Sequence, residues 1–258
     1  MTYYVVDAFT DKIFSGNPAG VCILDNELDE KLMQKIATEN NLSETAFAVK
    51  SNKGYNLRWF TPECEIDLCG HATLAAAFIL MNYVDKSLTE ISFSTKSGIL
   101  GVKKEGEFFT MNFPSRMPIE CDIPLGLEKA LGTKIIKAYR SRDLLVTLND
   151  EMAVKELVPD FNALAQYKDY FGIVVTAKGD NCDFVSRYFA PASGIQEDPV
   201  TGSSHSSLIP FWSNLLNKNE MIARQLSKRG GQLQCKNLGD RVEIGGNAVL
   251  YSKGEILL

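Results

Sequence analysis

Short apolar runs with period-two alternation fill most of the chain, and that pattern predicts strands. In the first half they are Tyr3–Phe9, Val21–Leu24, Thr45–Lys50, Tyr55–Phe60, Ile91–Thr95, Ile99–Lys103 and Phe108–Phe113. In the second they are Ile135–Arg140, Leu144–Leu148, Ile173–Ala177, Phe184–Phe189, Arg241–Ile244 and Ala248–Tyr251. Short polar connectors such as Ser51-Asn52-Lys53-Gly54 favour antiparallel neighbours. Helical spacing is rarer. Asp29–Glu39 sets Leu32, Met33, Ile36 and Ala37 on one face, which predicts an amphipathic outer helix. Ala72–Met81 is apolar all round, so it predicts a helix buried on every side with strands wrapped round it. Ser203–Leu216 repeats that plan, but Pro210 inside it removes a backbone hydrogen bond and predicts a kink.

A repeat organises these elements. Arg58-Trp59-Phe60-Thr61-Pro62 and Arg187-Tyr188-Phe189-Ala190-Pro191 are one phrase written twice, offset by 129 positions (58 to 187), half of the 258-residue chain. Ile66 and Ile195 keep the offset, as do Cys69 and Asp198. Each copy then runs through a polar loop into a glycine-containing segment that opens an apolar helix. The chain reads as two related halves, each of ordinary domain size, with a boundary near Arg116-Met117-Pro118.

Composition narrows the function. A hydrophobic content of 45% with 23% charged residues is that of a soluble globular protein. The net charge of −5 is spread without a basic stripe, which argues against a nucleic-acid partner. The longest apolar stretch, Leu74–Met81, is too short to span a membrane, and the N-terminus reads directly as a strand without a leader. Six scattered cysteines in a chain of this length point to a reduced, cytoplasmic protein.

Three polar clusters carry candidate chemistry: Asn40–Thr45, Cys69–Thr73 and Glu197–Ser204. A helix start exposes backbone N–H groups and a partial positive charge, so it holds carboxylates well. Gly70 and Gly202 would let a ligand approach that backbone. Glu44, His71 and Asp198 would then supply proton transfer in a cleft between the halves. Each has a plainer reading alone: Glu44 as a solvated turn residue, Asp198 as a cap before Pro199, His71 as a structural histidine. Their placement on the repeat favours function. His205 reads as structural. Cys64, Cys69 and His71 offer a loose zinc spacing with no counterpart in the second half, so no metal is expected. The chain has no dinucleotide-binding glycine motif, Walker A, H-E-x-x-H or G-x-S-x-G.

The motifs also resemble a known family. Asp7-Ala8-Phe9-Thr10 leading to Gly16-Asn17-Pro18-Ala19-Gly20-Val21 is similar to the opening of the PhzF-like phenazine-biosynthesis proteins. Leu42–Phe47, Arg58–Pro62 with Cys69–Thr73, Glu197–Ser203, Arg229-Gly230-Gly231 and Ile244–Val249 continue the match in order. The resemblance implies an α+β, diaminopimelate-epimerase-like fold: two pseudo-symmetric domains, each a mostly antiparallel, barrel-like sheet around a central helix. It implies domains at 1–116, joined by 250–258, and at 117–249, and commonly a homodimer. It implies a cofactor-independent isomerase moving a proton on a small anionic, carboxylate-bearing substrate. Glu44 would be the acid/base, His71 and Asp198 its supporting polar pair, and Gly70, Gly202 and Ser203 the ligand-binding residues. Relatives that epimerise amino acids use one cysteine from each half; here Cys69 faces Asp198 in the repeat, which disfavours a two-thiol mechanism. Two alternatives stay open: a non-catalytic binder of small anions, and a hydrolase using Ser203, His71 and Asp198.

Overall fold

Strand alternation decides which side chains go inside. The computed structural model describes residues 1–52 and 54–258. Lys53, within the expected connector after Ser51, lies outside the described residues. Two compact units result: Met1–Phe113 with Ile244–Leu258, and Pro114–Glu243. The first contains β1 (Thr2–Ala8), β2 (Asn17–Leu24), α1 (Glu30–Asn40), β3 (Glu44–Ser51), β4 (Gly54–Phe60), β5 (Glu65–Ile66), α2 (Gly70–Ile79), β6 (Glu90–Thr95), β7 (Gly98–Glu105) and β8 (Phe108–Pro114). The second contains β9 (Ile119–Cys121), α3 (Leu127–Leu131), β10 (Lys137–Arg140), β11 (Leu144–Thr147), α4 (Glu151–Lys155), α5 (Phe161–Leu164), β12 (Ile173–Lys178), β13 (Phe184–Phe189), α6 (His205–Leu216), β14 (Glu220–Gln225) and β15 (Gly231–Asn237). After β16 (Arg241–Gly246), β17 (Ala248–Glu255) pairs antiparallel with β1.

The two units share one plan. In the first, β2 and β3 are parallel, β3 and β4 antiparallel, β4 and β6 parallel, β6 and β7 antiparallel. In the second, β11 and β12, β12 and β13, β13 and β14, and β14 and β15 follow the same sequence of directions. Parallel neighbours need a crossover. Helices α1 and α2 supply it in the first unit; α4 with α5, and then α6, supply it in the second. The fold is thus α+β with a repeated topology, and the parallel pairs interrupt the expected antiparallel order wherever a helix intervenes.

One face of each sheet packs on its central helix, the other on outer helices. In the first unit Cys22, Leu24, Phe47 and Phe60 join Met33, Ile36 and Ala37 of α1 in an outer cluster. The intervening positions turn the opposite way, toward α2, which packs on β1, β2 and β3 and is buried at every residue. The chain then turns once more as a π turn, Leu80–Val84. In the second unit Val185 and Phe189 of β13 face the α3–α5 side. Phe184 faces the other way and stacks on Trp212 of α6, with centroids 5.7 Å apart.

Pro210 does not break α6, which runs unbroken through it. A proline cannot donate to the carbonyl four residues back. That carbonyl, on Ser206, instead accepts the Arg116 N–H at 2.9 Å, so the lost bond is replaced. Helix α6 also begins two residues later than expected. A tight turn with bonds from His205 N–H to Gly202 and from Ser206 N–H to Ser203 leads into it. The short strands β5 and β9, and the β14–β15 hairpin, were not among the expected runs. In β14 only Met221, Ala223 and Gln225 face inward, too weak an apolar signal to stand out. No helix among the described residues is long and apolar enough to cross a membrane.

Candidate active site

Register places Glu44. It opens β3 beside Ala19 of β2, two residues ahead of Ala46, which lies beside Val21 and opposite Trp59. Since Phe47 lies on the α1 side, Glu44 takes the α2 side. Helix α2 starts there. Cys69 caps it in an extended conformation, and its carbonyl accepts both the N–H and the hydroxyl of Thr73, at 3.2 and 2.5 Å. His71, one residue into the helix, thereby meets Glu44: Nε2 lies 2.9 Å from Oε2. That oxygen has no aligned hydrogen-bond donor, so the contact is a close ion pair rather than a well-directed bond. Cys69 Sγ lies 3.5 Å from His71 Nδ1 and 4.0 Å from Nε2. The Asn17 side-chain amide lies 3.1 Å from Nδ1. All four residues are buried. Asn17 is set in place by Gly16, whose φ of +67° suits glycine; a Cβ there would run into the Ala8 carbonyl oxygen.

Burial alone would strip the proton from His71, yet negative charge on Cys69 and Glu44 holds it well above the usual imidazole range. The Cys69 thiol is itself pushed up to about 11, by burial first and by Glu44 second. The Asn17 atom at that distance is Nδ2, which donates to Nδ1 when the ring is neutral, so Nε2 is the nitrogen that faces Glu44.

The repeated arginines brace the loops that carry these groups. Arg58 grips Glu65 through Nε and Nη2, both at 2.7 Å, and lies over Phe60 at 5.2 Å. Arg187 grips Glu197 the same way, at 2.7 and 3.0 Å, and lies over Phe189 at 5.0 Å. Planar guanidinium suits such paired contacts. Each clamp fixes the stretch just ahead of a candidate residue: Glu65 precedes the Cys69–His71 turn, and Glu197 precedes Asp198.

The second cluster is a hydrogen-bonded network around Thr201. Asp198 Oδ2 accepts the Thr201 hydroxyl at 2.5 Å. Gln225, from β14, accepts the Thr201 N–H at 2.9 Å and donates to the Asp198 carbonyl at 2.6 Å. The Thr201 carbonyl accepts Ser204 Oγ–H at 2.9 Å and His205 Nδ1–H at 2.8 Å. Gly202 is buried and Ser203 half-buried in this turn. His205 Nε2 has no partner, and burial lowers this ring to about 4, so it is neutral.

Glu44 and His71 thus meet in the first unit, and Asp198, Gly202 and Ser203 share one turn of the second. Both ring nitrogens of His71 are engaged, by Asn17 and Glu44, which leaves neither to activate a serine and removes support from the hydrolase alternative. The loose Cys64, Cys69 and His71 spacing, set aside above as a metal site, does not come together as a trio. Cys64 is exposed, and among the described residues the donor atoms that gather within 4.8 Å belong to Glu44, Cys69 and His71. Two contributors escaped notice: Asn17, signalled only by its place in Gly16-Asn17-Pro18, and Gln225, hidden in an unrecognised strand. A separate cavity of about 400 Å³, lined by Met33, Phe47, Arg58 and Lys96, involves none of the expected residues.

The family model described as phenazine biosynthesis-like protein matches residues 6–254. The chain belongs to that family. An uncharacterised isomerase of Pseudomonas aeruginosa is 49% identical over 259 residues, covering 100% of this chain and 99% of its own. The crystal structure of a PhzF-family phenazine biosynthesis protein from Enterococcus faecalis superposes with a TM-score of 0.98 at 51% identity, covering 100% of this chain and 99% of that one. A hydroxyproline epimerase from Agrobacterium vitis shares the fold at 8% identity, with a TM-score of 0.65 over 98% of this chain and 91% of that one. The chain is an isomerase of the phenazine biosynthesis-like family.

Proposed function

We propose that this isomerase moves a proton along a small carboxylate-bearing metabolite without a cofactor, with Glu44 as the acid and base. One observation carries the reading: a buried carboxylate, pinned 2.9 Å from His71, keeps an oxygen without an aligned donor. Such an oxygen can take a proton from an acidified C–H and return it at a second carbon. The His71 imidazolium holds Glu44 in place and offsets negative charge as it spreads over the substrate. Gly70, at the start of a ten-residue helix, would receive the substrate carboxylate on backbone N–H groups. Asp198 keeps the supporting role, and Gly202 and Ser203 the ligand-binding role, that the family resemblance implies.

The test is deuterium uptake from heavy water into small amino acids and unsaturated cyclic acids, followed by NMR. Wild type should label a substrate at two carbons. Glu44→Gln should fold normally and lose at least about 10²-fold in rate, the lower bound for a positioned acid/base. Undiminished uptake by that variant removes Glu44 from the role. A ligand that binds wild type tightly without any uptake would make the chain an anion-binding protein instead.

A further inference from the structure

We propose that Glu44, Cys69 and His71 form a three-donor site for a soft divalent cation of the zinc class, and that the cation inhibits the enzyme by occupying its acid–base pair. The inhibitory half of this inference rests on the role proposed for Glu44; the binding half does not.

The donor set has the right chemistry. A thiolate, an imidazole and a carboxylate are zinc's preferred partners, and three protein donors with one open position is the pattern of exchangeable zinc sites. The geometry is close to what the ion needs. Metal–ligand bonds of about 2.0–2.3 Å in a tetrahedron put donors about 3.3–3.6 Å apart. His71 Nε2 lies 2.9 Å from Glu44 Oε2 and 4.0 Å from Cys69 Sγ. Those two edges need to change by a few tenths of an ångström, and the third, between Cys69 Sγ and the carboxylate, lies within 4.8 Å. Asn17 holds Nδ1 at 3.1 Å and leaves Nε2 facing Glu44, while Cys69 Sγ, 3.5 Å from Nδ1 and 4.0 Å from Nε2, must swing toward Nε2 to join them. A partner on the far nitrogen is what fixes a ligating histidine. The Glu44 oxygen facing this point is the one without an aligned donor.

Binding forms metal–sulfur, metal–nitrogen and metal–oxygen bonds. The thiol proton and the Nε2 proton pass to solvent, and no electrons are transferred. The carboxylate that would take the substrate proton is then a metal ligand, so catalysis stops until the ion leaves.

The experiment is a cobalt(II) titration of the full chain, followed by absorbance, with wild type, Cys69→Ala, Cys64→Ala and Glu44→Gln. Wild type and C64A should show a saturable thiolate-to-cobalt charge-transfer band and the strong visible bands of a four-coordinate ion. C69A should lose the charge-transfer band and bind about 100-fold more weakly or worse, since even outer partners of a metal ligand cost 10–100-fold. E44Q should keep the thiolate band and bind more weakly. Zinc should suppress deuterium uptake by wild type, with recovery on chelation, and should leave uptake by C69A unaffected. No saturable cobalt binding by wild type overturns the site whether or not C69A folds, and so does a thiolate band that persists in C69A but vanishes in C64A. If wild type binds cobalt through Cys69 while E44Q retains full uptake, the metal site stands and the acid–base reading of Glu44 falls. If wild type binds no cobalt and E44Q loses uptake, the reverse holds.

Discussion

The two histidines sit at comparable helix starts in the two units, both fully enclosed, and they are driven to opposite charge states. His71 faces a carboxylate, and its proton is held well above the ordinary range. His205 faces a carbonyl and an aromatic ring, and burial lowers it to about 4. Burial acts the same way on both; the partner decides the outcome. The first unit has built an ionised pair at its helix start. The second has built a hydrogen-bonded turn around Thr201, with a neutral histidine beside it. The repeat therefore conserves a scaffold, meaning strand directions, a bracing arginine and a central helix, while the chemistry placed on it has diverged.

The central helices give the largest test of that contrast. Leu74 is wholly buried in α2. Leu74→Ala should cost about 2–5 kcal/mol in urea unfolding, the usual range for a buried leucine. A loss below about 1 kcal/mol would mean α2 is not the packed centre of its unit.

A smaller effect separates the histidines by pH. A folded-state value lowered from 6.5 to about 4 means that His205 contributes stability above pH 6.5, which is lost as pH falls toward 4. A raised value means the opposite for His71: its contribution is present below pH 6.5 and is lost as pH rises through the folded-state value. Between pH 7 and pH 5, His205→Gln should lose about 2 kcal/mol less stability than wild type. Equal losses would show that His205 titrates normally in the folded chain.

The smallest effect is at Pro210. Because Arg116 already satisfies the Ser206 carbonyl, Pro210→Ala should change stability by less than about 1 kcal/mol. A gain of about 3 kcal/mol, the usual burden of an interior proline, would mean that Arg116 gives no compensation.

Much of this was legible before any coordinates. The duplicated Arg–aromatic–Phe–x–Pro phrase exposed the two halves, because a strand and its turn chemistry are local in sequence. The all-apolar Ala72–Met81 run announced a central helix for the same reason. Glu44 and His71 could be named but not joined, since their meeting depends on the β2–β3 register and on where α2 begins. Asn17 needed the same register. Gln225 was hidden because β14 shows its alternation mainly in burial, with Glu220 and Arg224 on the outer face. Pro210 misled because its compensating donor, Arg116, is remote in sequence.

The most direct test of the charged Glu44–His71 pair is nitrogen NMR of the two imidazole rings at pH 7.5, in wild type and Glu44→Gln. The account predicts protons on both nitrogens of His71 in wild type, a neutral His71 in the variant, and a neutral His205 in both. A neutral His71 in wild type, or a charge there that survives the loss of the carboxylate, would contradict it.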